Sequence, residues 1–140
     1  ILYITHEFHK VGVEIDDIGK SCELAIPGFR QGRIIADSAR PETISFMKRQ
    51  GYNVVGADKG KGSVEDGIAF IRSFDKVIIH PRCKNTINEF NLYSYKVDQR
   101  SGDITTDIVD RYNHICDCGR YALERIMKRN HADYRVLSRM

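Results

Sequence analysis

The sequence lacks the two features that would direct the chain into a membrane or out of the cell. No run approaches the roughly 20 consecutive apolar residues that a membrane-spanning helix requires. The N-terminus also lacks a charged start followed by an apolar centre and a small-residue cleavage site. We therefore expect a cytoplasmic protein with no membrane partner.

The sequence has no CxxC pair among its four cysteines, and their spacing disfavours both disulfides and a zinc site. Cys22, Cys83, Cys116 and Cys118 form no CxxC pair, and nothing else suggests secretion, so we expect reduced thiols. A zinc site built from His114 and three of these cysteines is disfavoured by helix geometry. Cys116 and Cys118 are two residues apart on a predicted helix and therefore lie on nearly opposite faces.

A strong excess of one charge is also missing. The sequence contains 22 Lys and Arg residues and 19 Asp and Glu residues. The resulting net charge of +3 is too small to indicate a nucleic-acid-binding protein by itself. The 140 residues, of which 41% are hydrophobic, can bury one core, so we expect a single domain over residues 1–140. Evidence for function must therefore come from local motifs.

Apolar runs and helical periodicities alternate along most of the chain. Short apolar runs that stop at a polar residue or proline predict buried strands, and apolar residues three or four apart predict helices. Pro41 and Glu42 suit the first turn of a helix, and Gly51 suits its end. The predicted strands are 1–8, 33–37, 53–57 and 76–79, and the predicted helices are 13–24, 41–50, 64–74 and one that begins near residue 85.

The last part of the chain predicts a β-hairpin and a long helix. Segments 93–97 and 104–109 can pair around a loop that contains Gly102. Asn113 can cap a helix that continues to about residue 130. The residues expected on its inner face are Ile115, Cys118, Ala122 and Ile126. Together with the alternating strands and helices, this pattern predicts an α/β fold whose sheet is covered on both faces.

Two aspartates stand where an α/β sheet can build a metal site. Asp37 ends a predicted strand, and Asp117 lies near the start of the last helix. Functional sites gather beyond the C-terminal strand ends of such sheets, and a helix N-terminus favours an ionised carboxylate. Together the two can bind a hard divalent cation, although two-metal nucleases need more acidic oxygens than these. Spacing alone leaves a simpler interpretation open, namely a turn residue and an ordinary helix-start charge.

A basic, glycine-rich loop spans Asp58–Ser63, between a predicted strand and a predicted helix. It is not a nucleotide-binding P-loop. Such a loop has four residues between its outer glycines and a Ser or Thr directly after its lysine, whereas only three residues separate Gly56 from Gly60, and Gly62 follows Lys61. Lys59 and Lys61 can instead contact DNA phosphates. The alternative is a solvated loop in which Ser63 and Asp66 form a capping box.

Other basic residues can extend a DNA-binding surface. Charged residues usually form solvated faces, so their distribution alone does not distinguish DNA contact from simple exposure. The candidates for DNA contact are Arg40, Lys48, Arg49, Arg82 and Lys84, together with Lys96 on the hairpin.

Four segments, taken in order, resemble successive motifs of the nuclease domain of the terminase large subunit of tailed bacteriophages. They are Ile34–Glu42, Gly60–Ile68, His80–Cys83 and Asn113–Leu123, and together they extend over most of the chain. The resemblance implies an RNase H-like α/β fold with a central mixed β-sheet. It implies cleavage of concatemeric double-stranded DNA during genome packaging, with Mg²⁺ or Mn²⁺ bound by Asp37 and Asp117 as catalytic residues. It also implies that the full protein works with the terminase small subunit and the portal in the cytoplasm of a bacterial host.

The sequence departs from the family's pattern at three points. The family's third metal-binding aspartate belongs to a first strand that would precede Ile1, and Cys118 and Gly119 stand where small or branched apolar residues are usual. The translocating ATPase domain is absent too, so ATP hydrolysis is not expected of this chain. The alternative to an active nuclease is a catalytically inactive prophage remnant that binds DNA or protein. Its exposed sheet edge could also allow self-association.

Overall fold

The computed structural model describes the backbone at residues 1–92, 95–97, 101, 104–108 and 114–137, and the side chains at 1–92, 101 and 114–129. Strands and helices alternate, which confirms the predicted α/β class. In chain order the elements are β1 (Leu2–Ile4), α1 (Ile18–Ala25), β2 (Ile34–Ala36), α2 (Pro41–Arg49), β3 (Val54–Gly56), α3 (Ser63–Arg72), β4 (Val77–Ile79), α4 (Lys84–Leu92), β5 (Tyr95–Val97), β6 (Ile104–Ile108) and α5 (His114–Leu137). Among the described residues, no helix is long and apolar enough to cross a membrane.

The strands pair two by two in the part of the chain that the structure describes. β1 and β4 run parallel with Tyr3 opposite Ile78, and β2 and β3 run parallel with Ile35 opposite Val55. The crossover between β2 and β3 is α2, as parallel pairing requires. β5 and β6 form the predicted antiparallel hairpin, whose loop lies largely outside the described residues. The mixture of parallel and antiparallel pairing is therefore present, but ladder hydrogen bonds do not join the three pairs within these residues.

The β2–β3 pair packs against one side of a small hydrophobic core. Met47 from α2, Tyr52 and Val54 are 4%, 5% and 1% exposed and form the centre of this core. The partly buried residues that pack against them are Ile18, Phe29, Ile34, Ala36 and Ile44. Glu23 accepts a hydrogen bond from the Tyr52 hydroxyl at 2.7 Å, and Gly19 of α1 lies directly against the Tyr52 ring. Because β2 is held on this core, the residue that follows it has a defined position.

The helix starts agree with the sequence at α2 and differ from it at α3. Pro41 is the first residue of α2, and Gly51 follows that helix with φ +89°, a conformation that favours glycine. α3 begins after Gly62, whose φ is +77° and which has no side chain to cap the helix. The capping box suggested for Ser63 and Asp66 is therefore wrong, because Ser63 already lies inside the helix.

α5 buries a different face from the one predicted. Three of the residues expected inside, Cys118, Ala122 and Ile126, are exposed, and the buried residues are Cys116, Arg120 and Leu123. The reason is that Arg120 occupies an inner position, with its stem against Gly67 of α3 and its guanidinium hydrogen-bonded at the tip. A periodicity of apolar residues cannot predict a face whose central member is an arginine.

Candidate metal centre

Asp37 lies directly after β2, in the turn that leads to α2. Its Oδ1 accepts a hydrogen bond from the backbone N–H of Ala39 at 2.8 Å, which is the turn role that the sequence left open. The Lys59 ammonium contacts the same oxygen, and the Asp37 side chain remains 47% exposed. The hydrogen bond from Lys59 is the largest cause that lowers the pKa of the Asp37 carboxyl, and the hydrogen bond from Ala39 is the second largest. Asp37 is thus an ionised carboxylate that contacts a cation and stays open to solvent.

Asp117 lies in the first turn of α5 and is held by Arg120. The arginine donates to Asp117 Oδ1 from Nη2 at 2.5 Å and from Nε at 3.2 Å. Its side chain is only 6% exposed, whereas that of Asp117 is 28% exposed. A further bond, from Nη1 to the Ser63 carbonyl at 3.3 Å, ties the guanidinium to the start of α3. Asp117 therefore has a fixed orientation beside the end of the basic loop.

The buried position of Arg120 depends on a glycine opposite it. A Cβ atom at Gly67 would lie 2.9 Å from Arg120 Cδ and 3.0 Å from its Cγ, so a side chain there would collide with the arginine stem. Arg120 is not among the residues predicted for the site. The available signal was its position three residues after Asp117, the spacing at which opposite charges on a helix pair.

The cationic partners of the two aspartates lie near the same aromatic ring, that of Tyr121. The Lys59 ammonium, which contacts Asp37, lies 5.6 Å from the centre of the Tyr121 ring. The guanidinium carbon of Arg120, which pairs with Asp117, lies 5.3 Å from the same ring centre. α5 also packs against β2. The cationic partners of two carboxylates that are 80 positions apart in the sequence thus lie near one tyrosine ring.

The pKa of the Cys118 thiol is consistent with this proximity. Desolvation by the surrounding protein raises that pKa, although part of the side chain is exposed, and the carboxylates of Asp117 and Asp37 raise it further. A side chain of α5 therefore lies within electrostatic reach of the carboxylate that follows β2.

The donor chemistry of the aspartate pair suits a hard divalent cation. Carboxylate oxygens are the ligands that Mg²⁺ and Mn²⁺ prefer. Each carboxylate already faces a cationic side chain, Lys59 for Asp37 and Arg120 for Asp117. No group of three or more His, Cys, Asp or Glu residues arranged for a metal ion occurs within the described ranges. These ranges therefore offer two candidate carboxylate ligands, fewer than a complete metal site needs.

Some of the basic residues predicted to contact DNA lie beside this pair. Lys59 and Arg40 both lower the pKa of the first aspartate, so both are close to it. Lys61 is exposed in the loop two residues after Lys59. Lys48 and Arg49 are exposed at the end of α2.

The remaining predicted DNA contacts lie beyond the end of β4 or on the hairpin. Arg82 donates from Nε to His80 Nδ1 at 3.0 Å, and its Nη1 lies 3.0 Å from His6 Nε2, so both histidines have a partner that the sequence did not reveal. Lys84 is the exposed first residue of α4. In the part of the chain with described side chains, no hydrogen bond or ion pair joins these residues to the two aspartates. The side chain of Lys96 lies outside the described residues.

Two carboxylates that sequence analysis missed hold the starts of helices. Glu7, which follows β1, accepts hydrogen bonds from the backbone N–H groups of Asn85 at 2.9 Å and Thr86 at 2.8 Å, at the start of α4. Glu89, on α4, accepts two backbone hydrogen bonds from the start of α5. Neither residue lies near in sequence to the helix that it caps, so no local capping pattern could predict them.

Residues 5–125 of the chain match the family described as the terminase RNase H-like domain. The chain is 39% identical over 104 residues to the terminase large subunit of Bacillus phage SPP1, covering 72% of this chain and 24% of that protein. It is 30% identical over 123 residues to the PBSX phage terminase large subunit of Bacillus subtilis strain 168, covering 88% of this chain and 28% of that protein. The chain thus spans about a quarter of the length of these relatives.

The fold is similar to that of a solved nuclease domain. The crystal structure of the g2p (large terminase) nuclease domain from bacteriophage SPP1 with bound Mn superimposes with a TM-score of 0.78 at 32% sequence identity. The match covers 88% of this chain and 70% of that one. The predicted RNase H-like fold is thereby confirmed.

Proposed function

This chain belongs to the terminase RNase H-like domain family, as the C-terminal nuclease domain of a terminase large subunit, and from that premise we propose that it cuts double-stranded DNA using Mg²⁺ or Mn²⁺ bound by Asp37 and Asp117. One geometric observation carries the assignment of these residues. Each carboxylate is paired with a cationic side chain, and the charged groups of these two side chains lie 5.6 Å and 5.3 Å from the centre of the Tyr121 ring. The SPP1 nuclease domain, which the chain resembles in fold, carries bound Mn.

The proposed roles divide between the ion and the protein. A bound divalent ion supplies activation of the attacking water and stabilisation of the leaving oxygen. Asp37 and Asp117 provide the anionic oxygens that hold it. Arg120, which is almost fully buried, keeps Asp117 in one orientation while substrate binds. Lys59 is 39% exposed, so its ammonium can leave Asp37 and contact a DNA phosphate.

We place the DNA backbone along the basic residues that surround this site. Arg40, Lys59 and Lys61 are closest to Asp37 and can contact phosphates without reading the base sequence. Arg82 and Lys84 are exposed at the end of β4 and extend the proposed surface. Lys96, on β5, is proposed to contact the same duplex from the hairpin.

The role of the whole protein is a further part of the proposal, because the chain covers about a quarter of its relatives' length. We propose that the complete terminase cuts concatemeric phage DNA during packaging, together with the small subunit and the portal, in the bacterial cytoplasm. The alternative of an inactive prophage remnant is not favoured. Both proposed ligands are present, and each is held by a cationic partner.

The test is cleavage of supercoiled plasmid by the full-length protein that contains this chain. With Mn²⁺, the wild-type protein should produce nicked and linear plasmid. Asp37→Asn and Asp117→Asn should abolish cutting but leave DNA binding largely intact, because each removes a metal ligand without altering the basic residues. Asp16→Asn, at an exposed aspartate outside the site, is the matched control and should cut at the wild-type rate. Intact plasmid after incubation with folded wild-type protein, or normal cutting by both site variants, contradicts the proposal.

A further inference from the structure

We propose that Glu89 is a positioning residue for Asp117, acting through the backbone at the start of α5. Glu89 lies on α4 and is 8% exposed. One of its oxygens, Oε2, accepts hydrogen bonds from the backbone N–H groups of Ile115 at 2.6 Å and Cys116 at 3.2 Å. Cys116 directly precedes Asp117, so the anchored turn is the one that carries the proposed metal ligand.

A buried carboxylate at this position has a clear physical reason. Burying a charge is unfavourable unless hydrogen bonds and opposite charge compensate for it. The first turn of a helix offers both, because its backbone N–H groups have no partner within the helix and its dipole is positive at that end. Glu89 therefore caps two backbone N–H groups of the first turn of α5, although it lies 26 residues before Ile115 on another helix.

α4, which carries Glu89, is itself anchored. Glu7 accepts hydrogen bonds from the backbone and side chain of Asn85 and from the backbone and hydroxyl of Thr86, at distances of 2.7 to 3.0 Å. Two carboxylate caps thus act in series, from the segment after β1 to α4 and from α4 to α5. Glu7 thus holds the helix that carries Glu89, and Glu89 holds the helix turn that carries Asp117.

The roles of Glu89 and Arg120 at Asp117 are complementary. Arg120 contacts the carboxylate and determines its orientation, whereas Glu89 sets the position and rotation of the helix turn from which the carboxylate projects. Loss of Glu89 should therefore displace Asp117 without removing any proposed metal ligand. Residues that hold metal ligands in place typically change metal affinity by about 10–100-fold when mutated.

The inference rests on the proposed function and is tested by Mn²⁺ affinity, measured by isothermal titration calorimetry on the full-length protein. Glu89→Ala should weaken Mn²⁺ binding by roughly tenfold or more. Glu89→Gln should restore most of the affinity, because its amide oxygen can accept both backbone hydrogen bonds. Glu14→Ala is the control, because Glu14 is exposed and makes no side-chain hydrogen bond or ion pair within the described residues. It should bind Mn²⁺ as the wild type does.

The outcomes separate the two proposals. If Asp117→Asn weakens Mn²⁺ binding and folded Glu89→Ala binds normally, the positioning role is overturned and the proposed function stands. Equal losses in Glu89→Ala and Glu14→Ala would also overturn it, because the loss would then not depend on the hydrogen bonds that Glu89 accepts. If Glu89→Ala does not fold, Glu89→Asp withdraws the carboxylate by one methylene, and unchanged affinity in that variant has the same meaning. Wild-type protein that binds no Mn²⁺ refutes the proposed function itself.

Discussion

Replacing Glu7 with alanine should destabilise the fold by removing the acceptor on which the start of α4 depends. Glu7 receives four hydrogen bonds, two from backbone N–H groups and two from side chains. Both donors of Thr86 are among them, and Thr86 is fully buried at 0% exposure. Without Glu7, these donors lose their acceptor in a place where water cannot easily replace it.

The size of the effect follows from these contacts. Hydrogen bonds to charged groups contribute about 1.5–3 kcal/mol each, a buried unsatisfied donor costs about 1–3 kcal/mol, and loss of a helix cap costs about 0.5–2 kcal/mol. The contributions overlap, and Glu7 is only partly buried, so we expect a total loss of about 3 kcal/mol. For a chain of this size, that loss lowers the Tm by roughly 6–12 °C.

The pH dependence gives this prediction a specific signature. Burial raises the pKa of Glu7, but the hydrogen bonds from Asn85 and Thr86 together outweigh it, and the folded-state pKa lies below the ordinary value. A carboxyl with a lowered folded pKa contributes stability above its unfolded pKa of about 4.3, and the contribution is lost as the pH falls through the folded value. The stability difference between wild type and Glu7→Ala should therefore be full at neutral pH and shrink in acid.

Urea unfolding followed by circular dichroism measures this difference, at neutral pH and at about pH 3, below the ordinary glutamate pKa. The matched control is Glu14→Ala, because Glu14 is exposed and no side-chain hydrogen bond or ion pair is recorded for it among the described residues. The control should unfold as the wild type does at both pH values. A Glu7→Ala variant as stable as the control at neutral pH, or a stability difference that does not change with pH, would refute the reasoning.

Two further predictions concern the core and the basic loop. Gly19→Ala should lower the free energy of unfolding by about 1–3 kcal/mol, because the new Cβ would lie 2.6 Å from Cζ and Oη of the buried Tyr52. This steric cost exceeds the gain in helix propensity, which is about 1 kcal/mol. Urea unfolding measures the difference, and a variant more stable than the wild type contradicts the prediction. Lys61→Gln should weaken duplex binding and reduce the slope of log affinity against log salt by about 0.9, measured by fluorescence anisotropy across salt concentrations. An unchanged slope would remove Lys61 from the proposed DNA surface.

The features that local chemistry determines could be predicted from the sequence. Asp37 follows a short apolar run and precedes a proline that starts a helix, and it lies directly after β2 as predicted. The hairpin was predictable for the same reason, since its strands lie on either side of a glycine-containing loop. These predictions needed no knowledge of what the segments pack against.

The features that the sequence did not reveal depend on contacts between distant segments. Arg120 is buried because Gly67, on another helix, leaves room for its stem. Glu7 and Glu89 cap helices whose first residues lie far along the chain from them. Such a contact leaves no local pattern, and a hydrophobic periodicity assigns the arginine to the surface. The support around Asp117 therefore became visible only in three dimensions.

The central claim is that Asp37 and Asp117 bind the same divalent ion. Anomalous diffraction from crystals of the full-length protein grown with Mn²⁺ tests this claim most directly. The claim predicts an anomalous peak at roughly 2.0–2.2 Å from a carboxylate oxygen of each aspartate, the distance typical of small divalent ions. It also predicts that the peak disappears in the Asp117→Asn variant. Mn²⁺ bound elsewhere, with neither aspartate within coordination distance of the ion, would contradict it.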